Sequence, residues 1–174
     1  MNEARANRIL AALKEQGVDQ MLITDPMSIW YLTGICIAPI VGFEARLLKA
    51  DGHHYYFLNH RFNVPGDVGV EKVWYSDTDP VPEIVAARLD KNAVLGVDKD
   101  LKARFLLPLM EMKAAAGFVN GSLAVDITRG VKDTEEQKKM RISSAINDKD
   151  MAKFIGLIHE GVSEKEVADQ KLQI

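Results

Sequence analysis

Imidazole and carboxylate are the side chains most able to hold a metal or move a proton, so the histidines and acids are read first. His53, His54 and His60 lie near Asp51. Adjacent residues of an extended segment point to opposite faces, so His53 and His54 do not share an ion, and the stretch reads as hairpin surface. His159 has Glu160 beside it. Helix neighbours do not face each other, and Ser163, one turn on, lies past Gly161, so this histidine is assigned to a solvated face. Glu135, Glu136, Asp148 and Asp150 offer paired carboxylates. Two of them occupy the first turn of a helix, where acids complement the dipole, and capping with solubility accounts for the set. Glu44 and Arg46, two apart at a strand's edge, share a face and are read as an exposed ion pair worth about 0 to 1 kcal/mol. Trp30 and Tyr31 suggest an aromatic platform, with one of the two expected in the core. Cys36 is the single cysteine; it makes no disulfide framework and reads as a small buried apolar residue. The glycines at 66–69 and 117–121 lack the spacing of a phosphate loop.

The chain that must position these groups has 174 residues. One good core serves about 100 to 150 residues, so one domain and a remainder are expected. Its 47% apolar and 27% charged composition is that of an ordinary globular protein. No run approaches the roughly 18 apolar residues of a membrane span. A net charge of −3, without a long basic run, lacks the footprint of a nucleic-acid binder. The charged amino terminus has no apolar signal core behind it, and a cytoplasmic location is expected.

Residues 3–16 place Ile9, Leu10 and Leu13 on one helical face. Gly17 closes that helix, and Met21-Leu22-Ile23 is short and apolar enough for a strand buried on both sides. Asp25 sits as an N-cap with Pro26 at the first helical position, and Gly34 ends the short helix. Residues 35–43 are apolar but broken by Pro39 and Gly42; they are read as a contact loop, with Trp30, Ile37 and Phe43 as interface candidates. Residues 45–50 and 54–58 form a hairpin through Asp51-Gly52. Residues 70–75 and 93–97 are further strands; 80–89 and 101–115 are helices; Phe118-Val119 with residues 123–127 is read as extended. Strands interleaved with helices, and one hairpin, predict a three-layer α/β/α domain with a mixed sheet, complete by about residue 128. From Asp133 a capped helix runs to about Leu157, Ser163 and Glu166 start another, and residues 129–174 lack a core of their own.

A helix before Gly17-Val18-Asp19, an apolar strand, Asp25-Pro26, then Tyr31-Leu32-Thr33-Gly34 resembles the amino-terminal domain of the creatinase, prolidase and aminopeptidase P family. Val73-Trp74-Tyr75, Asp79-Pro80, Leu95-Gly96-Val97-Asp98, and Arg129 to Asp133 with Glu136 continue the resemblance in order. Gly161-Val162-Ser163-Glu164 is similar to the turn between the first helices of its pita-bread catalytic domain. The resemblance implies a ribonuclease H-like fold for residues 1–128. It implies a parent that cuts Xaa-Pro bonds with two divalent metal ions (Mn, Co or Zn) held by two Asp, one His and two Glu. None of those ligands falls within residues 1–174, so this chain is expected to hold no cofactor and to be inactive alone, with residues 129–174 as the first helices of an incomplete pita-bread catalytic domain. It also implies a homodimer in which the loop after Tyr-Leu-Thr-Gly lies near the partner's active site. Many bacterial members carry a His-Pro-Gly-Glu-Arg-like segment there. Here the segment is longer, lacks the histidine, and Ala45 separates acid from base, so only Glu44 and Arg46 carry over. The alternative reading is a non-enzymatic module of the same fold, for dimerisation or small-molecule binding.

Overall fold

The structure is a computed structural model that describes residues 1–37, 42–64 and 66–171. The chain divides into two compact units, Met1–Gly130 and Val131–Ile174.

In the first unit, α1 (Glu3–Lys14) starts at Asn2, whose side chain accepts from the Arg5 N–H, and buries Ala6, Ile9 and Leu13. Next, β1 (Gln20–Ile23) is buried along its whole length. Asp25 caps α2 (Pro26–Thr33), and Gly34 ends it in the left-handed region at φ 71°, which a residue without Cβ adopts cheaply. The hairpin follows as β2 (Ala45–Lys49) and β3 (Tyr55–Asn59), with Ala45 opposite Phe57 and Arg46 opposite Tyr56. Then come β4 (Glu71–Tyr75), α3 (Val81–Ala86), β5 (Val94–Val97), α4 (Ala103–Glu111), β6 (Gly117–Asn120) and α5 (Ser122–Gly130).

The sheet order is β4-β3-β2-β1-β5-β6. Only β2 runs antiparallel to its neighbours, so the sheet is mixed. Alternation along β1 decides the layers: Met21 and Ile23 join Ile9, Leu13, Leu32 and Val125 in one core, while Leu22 joins Leu47, Phe57, Val85 and Leu109 in the other. Helices α1, α2 and α5 cover the first face, α3 and α4 the second. The buried Gln20 ties the strand to the chain before β5, donating to Asp90 O at 2.7 Å and accepting from Asp90 N at 2.9 Å.

Three elements differ from their sequence reading. Residues 123–127 are helical, not extended: Ala124, Val125 and Thr128 are buried at helical spacing, while Leu123 and Ile127, one turn apart, face outward. An apolar run rich in branched residues reads as a strand until its burial has a period. The helix at 80–89 is shorter: Asp79 accepts from the Ser76 N–H at 2.6 Å and leaves Pro80 at the N-cap, and the far end closes in turns, with Arg88 N–H bonded to Val85 O and Leu89 N–H to Ala86 O. The helix at 101–115 is confined to α4, with Pro108 inside it and Lys113 at φ 50° just beyond.

The second unit holds α6 (Thr134–Gly156) and α7 (Glu164–Lys171). Asp133 and Glu136 complete a reciprocal capping box on α6. Ser163 and Glu166 bond in the same manner, at 2.9 and 3.3 Å. No residue of α6 is buried. Among the described residues no helix is long and apolar enough to cross a membrane.

Candidate functional site

The carboxyl end of the sheet is built around Asp98, which follows β5. Its carboxylate accepts from the Thr24 N–H, the Thr24 hydroxyl (2.7 Å), the Asp25 N–H (2.7 Å) and the Asp100 N–H (3.2 Å). These bonds bind the β1–α2 turn to the neighbouring parallel strand. Burial raises the Asp98 pKa and outweighs the hydrogen bonds that favour its charged form. Asp25 shows the opposite balance: burial pushes its pKa up, but bonds from the Ser28 hydroxyl and the Met27 and Ser28 N–H groups, with Arg129 nearby, hold it below the ordinary range. The Arg129 Nη1 reaches Asp25 and Ser28 Oγ, each at 3.1 Å, so α5 is clamped to the start of α2.

Glu44 and Arg46 are not an exposed pair. They are 4% and 0% exposed, on the face covered by α1 and α2. The Arg46 guanidinium stacks on the Tyr56 ring at 3.6 Å, and the Tyr56 hydroxyl donates to Glu44. Among the described residues, the guanidinium nitrogens of Arg46 and the second Glu44 oxygen find no hydrogen-bond partner. Burial, only partly offset by Tyr56 and Glu44, lowers the Arg46 pKa to about 10. Burial also raises Glu44 and Tyr56, in the latter case reinforced by the bond to Glu44. The edge reading fails because β2 lies between β1 and β3, with both flanks paired. The signal for Tyr56 is hairpin symmetry about Asp51, which pairs it with Arg46.

Phe43, an interface candidate by its sequence, is likewise buried within the first unit, 4% exposed. The Tyr75 hydroxyl fixes it by accepting from the Phe43 N–H at 2.7 Å and donating to the Phe43 carbonyl. Its ring meets Phe105 at a centroid distance of 4.5 Å. Ile37 is half-buried against the first core. Trp30 is 53% exposed while Tyr31 is buried, so the pair divides as expected. Cys36 is exposed rather than buried, because the chain has left α2 at Gly34 and runs over the surface. Residues 38–41 of the expected contact loop lie outside the described residues.

The histidines do not converge. His53 is exposed, His54 Nδ1 accepts from the Lys49 N–H at 3.2 Å, and His60 stacks on Trp74. Among the described residues no three His, Cys, Asp or Glu side chains lie where they could hold an ion. The donor set of a two-metal site therefore does not fit these residues, and no catalytic step is placed on them. What the arrangement does chemically is hold charge inside a scaffold: Asp98 and Arg129 fix the α2 turn, and the Arg46–Tyr56 stack fixes the hairpin.

Residues 5–131 match the model of the creatinase/prolidase N-terminal domain. An uncharacterized peptidase of Staphylococcus aureus is 26% identical over 174 residues, covering 95% of this chain and 47% of its own length. The chain thus spans about half the length of the curated relatives it matches. A dipeptidase from Mycobacterium ulcerans superposes with a TM-score of 0.84 at 23% identity, covering 99% of this chain and 48% of that one. The creatinase/prolidase N-terminal domain of an X-Pro dipeptidase from Streptococcus pyogenes superposes at 0.57 with 21% identity, covering 72% of this chain and 98% of that domain. At these identities the structural likeness is one of fold.

Proposed function

From the premise that the chain belongs to the creatinase/prolidase N-terminal domain family, we propose that it is the amino-terminal assembly portion of a cytoplasmic, metal-dependent Xaa-Pro dipeptidase or aminopeptidase. By itself it does not hydrolyse peptides. The observation that carries this reading is the family match over residues 5–131, together with relatives about twice as long. The two divalent ions (Mn, Co or Zn) belong to the remainder of such a parent, where they would lower the pKa of a bridging water and polarise the scissile carbonyl. Assembly is homodimeric, and the exposed Trp30 is the aromatic anchor of the interface candidates.

The test is an assay of the purified chain with an Ala-Pro dipeptide and a longer Xaa-Pro peptide, in the presence of manganese, cobalt or zinc, alongside sedimentation of the same sample. The expected result is no release of proline or of the amino-terminal residue, with a dimer that Trp30→Ser shifts toward monomer. Manganese-dependent proline release would overturn the inactive reading, and a monomer at all concentrations the assembly reading.

A further inference from the structure

A cleft of about 370 Å³ opens outside the carboxyl end of β4. It lies between the loop that leads into α3 and the first turn of α4. Its volume falls within the range of small-molecule sites, about 300 to 1,000 Å³. One wall is aromatic: Phe43 and Phe105 meet there, and Tyr75 lines the floor. That wall is fixed from behind, since the Tyr75 hydroxyl bonds both backbone groups of Phe43. Gly42 lies at φ 104°, where an added Cβ would stand 3.3 Å from the Phe62 ring, so a side chain at this position would crowd that ring. Pro80 and Pro82 stiffen the opposite side.

The charges around the cleft are unequal in what they still have to give. Asp77 is taken by Arg61 at 2.6 Å and by the Asn59 amide at 2.8 Å. Asp79 accepts from the Ser76 N–H at 2.6 Å, which orients its carboxylate and leaves it charged at the rim. Arg104 lies over the Phe105 ring at 4.6 Å, and no ion pair or hydrogen bond engages its guanidinium among the described residues. A planar fork with free donors beside an apolar wall matches a carboxylate attached to an apolar body.

We infer that this cleft is a binding site for a small aromatic monocarboxylate, with the ring against Phe105 and the prolines at 80 and 82 and the carboxylate on Arg104. The lining of the cleft does not include Glu44, Tyr56 or Arg46. The ligand is either a free acid or the carboxyl terminus of a short peptide, and these share the chemistry the cleft reads.

Amide-resolved NMR titration of the full chain tests it, with 3-phenylpropanoate, the neutral 3-phenylpropanamide, and the dipeptide Gly-Phe as probes. The expected result is saturable shifts at Phe43, Ser76, and Ala103 to Phe105 with the acid and not with the amide. Arg104→Ala weakens that binding about tenfold or more, as loss of a charge-assisted bidentate contact implies. Saturation by Gly-Phe at the same amides assigns the site to peptide termini, and its failure beside binding of the acid assigns it to free acids. Equal binding of acid and amide, shifts elsewhere, no saturable shift with any probe, or an Arg104→Ala variant that binds as well as the parent would each overturn the proposal. Arg104 is exposed on α4, so its replacement leaves the fold intact.

Discussion

A buried carboxylate that satisfies several backbone donors is worth more than its size suggests, because removing it strands every donor at once. Asp98→Ala is therefore expected to cost about 3 kcal/mol in a urea melt, as Thr24, Asp25 and Asp100 lose their shared acceptor. A cost within about 0.5 kcal/mol, the range of ordinary surface changes, would show that water replaces it without loss. Arg46 presents the reverse case, a buried charge without hydrogen-bond acceptors among the described residues. Arg46→Met removes the cation beside the buried Glu44 and the stack on Tyr56, so it should cost about 3 kcal/mol, and adding Glu44→Gln should recover much of that loss. A urea midpoint for Arg46→Met at or above the parent's counts against that account. Glu44 brings a pH dependence. Burial raises its pKa, so the folded chain keeps this proton at a pH where the unfolded chain has given it up. Stability is then complete below the unfolded pKa and declines as pH rises toward the folded one. Glu44→Gln has no such proton to lose, so its midpoint should gain on the parent's as pH climbs from acid toward neutral. An offset that stays constant with pH would refute this.

At the scale of elements, local signals written by one or two residues hold wherever the backbone itself demands them. Gly34 ends α2 at φ 71° with nothing within 4 Å of an added Cβ, so Gly34→Ala meets no clash and only the conformational penalty. A loss of about 1 kcal/mol is expected in thermal or urea unfolding, and no loss would mean that the helix ends elsewhere. The Asp25 cap, Pro26 and the capping box at Asp133 and Glu136 were legible for the same reason: each satisfies donors within one turn of chain. The segment at 123–127 was not. Its apolar residues suit strand or helix equally, and what decides is which of them the sheet's far side can bury. The start of α3 was hidden because Asp79 turned back to Ser76 instead of capping, and the end of α4 because Lys113 takes a positive φ that a sequence pattern does not mark.

For the whole molecule, the two units have different means of support. The first has a core on each face of its sheet, whereas α6 exposes Met140, Ile142, Ile146, Met151 and Ile155 and buries nothing. Residues 1–130 alone are expected to fold cooperatively, and the full chain to self-associate more and bind more of an apolar dye, as read by size-exclusion chromatography and dye fluorescence. Equal elution and equal dye binding would remove the claim. The sequence by itself determined the elements through β5, the caps at Asp25 and Asp133, the hairpin and the mixed sheet, since these follow from turn chemistry and hydrophobic period over a few residues. It also carried the family, through ordered short motifs spread along the chain. Only the tertiary structure decided that Glu44, Arg46 and Phe43 lie inside, that Cys36 and Trp30 lie outside, and that Asp98 holds the turn before α2. Burial depends on which strand takes the middle of the sheet and which helix lies over it, and that is settled by contacts between residues far apart in the chain.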